Sequence, residues 1–198
     1  NSGLWVICGA LVMMAPIVAT GKLYMGARPG AGRDVALTVD TWVALIEEHA
    51  ANESVFAFSS SISPAFPAVN YGRVDWASRS CCLWMLPAVV RARAQAPDVS
   101  AAPADEAFDE IEAFQRDAVI EDLTRWRPAL VFVDVSHAKQ GFGSTSFDYL
   151  EYFMADPRFA AEWAGYEELP PVAGFRVFRR RTPGEGEGET ENRTAPAP

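Results

Sequence analysis

Two short polar clusters each follow an apolar run, and they are the places where this sequence could do chemistry. Ser59-Ser60-Ser61-Ile62-Ser63 follows the run that begins at Val55, and Asp134-Val135-Ser136-His137 closes the run that begins at Ala129. In open α/β sheets, ligands bind beyond the carboxyl ends of the parallel strands. The two clusters would therefore meet if the two runs are adjacent strands. Asn70, Tyr71, Arg73, Trp76 and Arg79 lie in the stretch after the first run. The candidate ligand-binding set is thus Ser60, Asn70, Tyr71, Arg73, Trp76, Arg79, Asp134 and His137. An aromatic beside Asn, Arg and Asp suits a sugar or a polar lipid headgroup. The ring covers the apolar face of a sugar, and the planar polar groups fix hydroxyls or phosphate.

Each of these residues also has a purely structural use. The serines can form a turn or cap the next helix. Arg79 can pair with Asp75 four residues earlier, Asp134 can hold a loop backbone, and His137 can be an exposed loop histidine. A Ser60, His137, Asp134 triad lacks a Gly-x-Ser-x-Gly elbow, and its acid lies too close in sequence to its histidine to be distinctive. Gly141-Phe142-Gly143 follows a strand but lacks the third glycine and the Lys-Ser/Thr pair of a phosphate loop. No catalytic residue is assigned, and no cofactor or metal is implied. The three cysteines make neither a disulfide framework nor a zinc site, and Cys81-Cys82 read as core packing on a helix. Two glycosylation-type triplets, at Asn52 and Asn192, arise readily by chance and are discounted.

The elements that must position these residues alternate. A helix from Asp34 places Val39, Trp42, Val43 and Ile46 on one face. Val55–Ser59 is a buried strand, Ser60–Asp75 a loop, and Trp76–Val90 a helix interrupted or ended near Pro87. Ala94–Pro103 reads as a linker. Asp105–Arg125 is an amphipathic helix whose acidic residues, through Asp122, read as a solvated face. Ala129–Val135 is apolar throughout, as a strand covered on both faces must be. A helix over Phe147–Met154 precedes a short one capped by Asp156 with Pro157 at its first position. Tyr166–Leu169 and Gly174–Arg180 form a hairpin joined by Pro170–Gly174. The expected fold is α/β: a small three-layer domain with a mainly parallel sheet and an antiparallel edge hairpin.

Composition divides the 198 residues further. The net charge is −9, and the part between the two ends carries most of it, which disfavours nucleic acid as a partner. Residues 3–21 are uncharged and, at 1.5 Å each, span about 28 Å, close to a bilayer core. Trp5 at one end and Lys22 and Tyr24 at the other fit interfacial anchors. A buried helix and a signal peptide are the rival readings, the latter lacking a basic leader and a small-x-small site. Residues 1–24 are thus expected to be a transmembrane helix, 25–35 a linker, 36–181 a water-soluble α/β domain and 182–198 a disordered acidic tail. Lys22, Arg28 and Arg33 taken alone would place that domain in the cytoplasm. The chain opens on an apolar run without Met and reads as a piece of a longer protein.

A span leading into such a domain, the stretch from Phe58 to Gly72, Trp76-Ala77-Ser78-Arg79, Leu83 to Pro87, Arg127 to Asp134, Phe147 to Glu151 and a basic final strand form a recognisable combination. It resembles the C-terminal region of bacterial integral-membrane glycosyltransferases of the C superfamily, mannosyltransferase-like proteins that use polyprenyl-phosphate sugars. The resemblance covers residues 1 to about 181. It implies a lipid bilayer as partner, with a polyprenyl-phosphate sugar or a glycan acceptor. It also implies a cell-membrane location with the soluble domain in the periplasm, against the charge bias. The family's catalytic carboxylate lies near its first spans, outside this chain, so this part is expected to be non-catalytic. The alternative is a membrane-anchored sugar-binding or scaffold module without transferase activity. A free-standing hydrolase-like enzyme is the weakest reading.

Overall fold

The computed structural model describes residues 31–95 and 102–182. The chain divides into two units, residues 1–37 and 38–198. Of the first, only the start of a helix is described. Among the described residues, no helix is long and apolar enough to cross a membrane. The expected span over 1–24 lies outside them, as do residues 25–30 of the expected linker and nearly all of the acidic tail.

The element order is α1 (Ala31–His49), β1 (Ser54–Phe58), α2 (Ala65–Gly72), β2 (Asp75–Trp76), α3 (Leu86–Gln95), α4 (Ala102–Trp126), β3 (Leu130–Asp134), α5 (Tyr149–Met154), α6 (Pro157–Trp163), β4 (Tyr166–Val172) and β5 (Phe175–Arg180). The strands form one sheet in the order β2-β1-β3-β5-β4. β1 pairs in parallel with both β2 and β3, and β3-β5-β4 is antiparallel. The α/β class, the parallel centre and the antiparallel edge hairpin are as the sequence pattern predicts.

Strand alternation sends successive side chains to opposite faces, and both faces here are covered. Val55 and Ala57 of β1, Leu130 and Phe132 of β3, and Val177 of β5 pack against Trp42 and Ile46 of α1 and Ala68 of α2. Phe56, Phe58, Val131 and Val133 face the other way, onto Leu86 of α3, Leu123 of α4, Tyr149 and Phe153 of α5, and Phe159 of α6. Trp42 lies flat on Phe132 at 3.6 Å and meets Phe175 edge-on at 4.9 Å. Near the other end of α1, a Cβ on Gly72 would stand 2.7 Å from Ile46 Cγ2, so the absent side chain lets α2 lie against α1.

Several boundaries differ from expectation. The first helix begins at Ala31, inside the expected linker, with Asp34 in its first turn complementing the helix dipole. The Ser60–Asp75 stretch holds α2, because a parallel return to β2 needs a crossover and eight residues supply it. Trp76 sits in β2, not in a helix. Pro87 is the second residue of α3 rather than its end, since proline's missing N–H matters least in a first turn. Cys81 and Cys82 therefore lie in the turns before α3, Cys81 exposed and Cys82 buried. β4 continues through Pro170 and Pro171 to Val172, with an irregularity in its pairing between Leu169 and Val172. Ala173 and Gly174, both at positive φ, make the tight hairpin turn. Asp156 caps α6, accepting from Arg158 N, with Pro157 following, as predicted.

Candidate functional site

The connections set the site. After β1 the chain turns to α2 on one face, and after β3 it turns to α5 on the other. Neighbouring parallel strands whose chains depart to opposite faces leave a crevice beyond their carboxyl ends, where open α/β sheets bind ligands. The β1–β3 register, with Phe58 opposite Val133, brings the Ser59–Ser60 turn beside Asp134. The two polar clusters of the sequence do meet.

Their hydroxyls are mostly engaged in building the rim. Ser59 Oγ accepts from Ser61 N at 3.0 Å, and Ser60 Oγ donates to Gln140 O at 2.6 Å, tying the β1 turn to the loop after β3. Asp134, 7% exposed, is the last residue of β3, and its Oδ1 accepts from Ser136 N at 2.8 Å. Lys139 Nζ donates to Ser136 O at 2.8 Å and stands 5.9 Å from the centre of the Tyr149 ring. That leaves two ammonium protons for a ligand. The Tyr149 hydroxyl is buried close to Ser60. Burial pushes its ionisation well above the usual phenol range, with proximity to Ser60 opposing, so it stays a neutral phenol.

A cleft of about 180 Å³ opens beside this crevice, lined by Asp134, Ser136, His137, Lys139, Ser146 and Asp148, with Val135 and Phe147 as its apolar wall. Asp148 also caps α5, accepting from Glu151 N at 3.0 Å. Two carboxylates, two hydroxyls, an imidazole and one ammonium can accept from and donate to a ring of hydroxyls. The lining carries one ammonium and two carboxylates, so a neutral polyol suits the cleft better than a bare anion. Among the described residues, no three His, Cys, Asp or Glu side chains group as metal ligands.

The structure gathers only part of the predicted set. Ser60, Asp134 and His137 are at the crevice. Asn70, Tyr71 and Arg73 are at the opposite end, because α2 runs back to begin β2, whose Asp75 pairs with Ser54 at the start of β1. Trp76 donates from Nε1 to Ser80 O at 2.7 Å and stacks with Phe56 at 6.0 Å, a packing role. Arg79 pairs with Glu121 and Asp122 of α4, not with Asp75. Lys139, Ser146 and Asp148 escaped the sequence reading. Lys139, two residues beyond His137 in the same loop, was the available signal.

No family model, curated protein or solved structure matches this chain.

Proposed function

We propose that the chain is the C-terminal part of an integral-membrane glycosyltransferase of the C superfamily. Its α/β domain is non-catalytic and holds the sugar of a lipid-phosphate donor, or the acceptor glycan, in the cleft beyond β1 and β3. The periplasm is its proposed location. The observation that supports this is the hydroxyl-matching cleft at the switch point, with Asp134, His137 and Lys139 in one place. A second reading, a sugar-binding module without transferase activity, draws on the same side chains, since polyol recognition needs no lipid.

The test is binding to the full chain in lipid nanodiscs. A polyprenyl-phosphate hexose is expected to bind more tightly than bare polyprenyl phosphate, and Asp134→Asn and Lys139→Ala are each expected to remove most of the difference. Equal binding of the two lipids would overturn the reading. Equal binding of a lipid-free oligosaccharide would favour the second.

A further inference from the structure

α1 descends the sheet in a defined direction. Trp42 meets Phe175, which pairs with Asp134 at the carboxyl end of β3, whereas Ile46, one turn later, meets Gly72 near the amino end of β1. The chain therefore comes into the second unit, at Thr38, from the carboxyl end of β1 and β3. That is also the end where the cleft opens.

The same end carries exposed large apolar side chains on three separate loops. Ile62 starts the connection to α2, with its carbonyl accepting from Phe66 N. Trp84 follows Leu83, whose N–H bonds Ser59 O. Val135 follows β3, with its N–H bonding Gly174 O at the hairpin turn. Backbone bonds at Leu83 and Val135 tie the second and third of these to the sheet end, and the first is fixed by the turn that opens α2. In the sequence, only residues 22–30 separate the uncharged run ending at Gly21 from the first residue of α1. Fully extended, nine residues reach at most about 32 Å.

We propose that this end of the second unit rests on a lipid bilayer, with Ile62, Trp84 and Val135 in the interfacial layer. The inference rests on the membrane reading above and adds which surface faces the lipid. Tryptophan is the side chain best suited to that layer, apolar in its ring and a donor at its nitrogen. The short connection keeps the effective concentration of the surface at the membrane high, so three side chains suffice where a free domain would need more. Docked this way, the cleft opens at headgroup level, where a lipid-borne sugar travels. Tyr71 and Trp126, also exposed, lie at the opposite end and serve as internal controls.

The experiment reconstitutes the full chain into phosphatidylcholine vesicles containing lipids brominated near the headgroup, which quench tryptophan on contact. Wild type is compared with Trp84→Phe and Trp126→Phe, both at exposed positions where folding should survive. Loss of a quenchable component in Trp84→Phe, with none lost in Trp126→Phe, is the expected result. No quenched component assignable to Trp84 would overturn the proposal, including the case in which a second copy or another protein covers that surface. A carbonate wash separates the two failures. Chain released from the vesicles would sink the membrane reading itself. Chain retained but with Trp84 unquenched would sink only the docking.

Discussion

Asp122 grips Arg79 twice. Its Oδ1 accepts from Arg79 Nε at 2.9 Å, and its Oδ2 accepts from Arg79 N at 3.0 Å and from Ser78 Oγ at 3.0 Å. The carboxylate is 2% exposed, so three donors replace its water. It pins the turns before α3 to the last turns of α4. Asp122→Ala is expected to destabilise the fold by about 2–3 kcal/mol, from lost bonds to a charged acceptor, while the half-exposed guanidinium recovers its hydration. Arg79→Ala leaves the buried carboxylate with Ser78 Oγ and the backbone donor but no cation beside it, and should cost more, about 3–4 kcal/mol. Urea unfolding of the two variants measures the ordering, and an equal loss would contradict it.

The approach of α2 to α1 at Gly72 predicts a steric effect. Ile46 is fully buried and β-branched, so its Cγ2 cannot swing away from a new methyl group at 2.7 Å. Gly72→Ala should therefore destabilise by about 1–2 kcal/mol, overpacking outweighing the better helix propensity of alanine. Combined with Ile46→Ala, which opens space, the double variant should lose less than the sum of the two singles. Thermal denaturation of all four proteins closes the cycle.

Tyr152 gives an alkaline signature. Its hydroxyl donates to Glu112 Oε1 at 2.8 Å, and burial, then that carboxylate, push its ionisation up to about 12. A phenol whose folded value lies above its unfolded value of about 10 stabilises the fold fully below pH 10. That contribution fades as pH rises from about 10 toward 12. Tyr152→Phe should flatten this part of the stability–pH curve measured by denaturant titration. An unchanged slope would mean that the phenol is not held neutral by the fold.

The adjacent cysteines should part in reactivity. Burial, first of all, pushes the Cys82 thiol up to about 11, while Cys81 is exposed. Thiolates react, thiols do not. Iodoacetamide at pH 8 should label Cys81 within minutes and spare Cys82 until the chain is unfolded. Peptide mass spectrometry reads the two sites apart, and early labelling of Cys82 would show that the turns before α3 open readily.

The central strands were legible because both their faces are covered, leaving runs with no polar interruption from Val55 to Phe58 and from Leu130 to Val133. Their adjacency, on which the meeting of Ser60 with Asp134 depends, was open in the sequence, because β2 comes between them in chain order, and the β1–β3 pairing decides it. What was not legible depended on contacts remote in sequence. α2 contains Pro67 and ends at Gly72, so its local signals speak for a loop, and only its packing on α1 holds it helical. Asp122 sits in an acidic helix where Glu110, Asp109 and Glu121 are exposed. Nothing local marks it as buried, because its partners are 43 and 44 residues earlier. Asn70 and Arg73 follow the β1 turn closely in sequence, yet the return to β2 carries them a full strand length from it.

The two outer strands of the sheet offer little to a neighbouring molecule. β2 is two residues long, and β4 carries Pro170 and Pro171, which have no amide hydrogen, at the place where its pairing slips. An incoming strand would find too few donors in register on one side and too short a template on the other. The domain should therefore resist edge-to-edge polymerisation even when crowded at a surface, where local concentration would otherwise favour growth of a shared sheet.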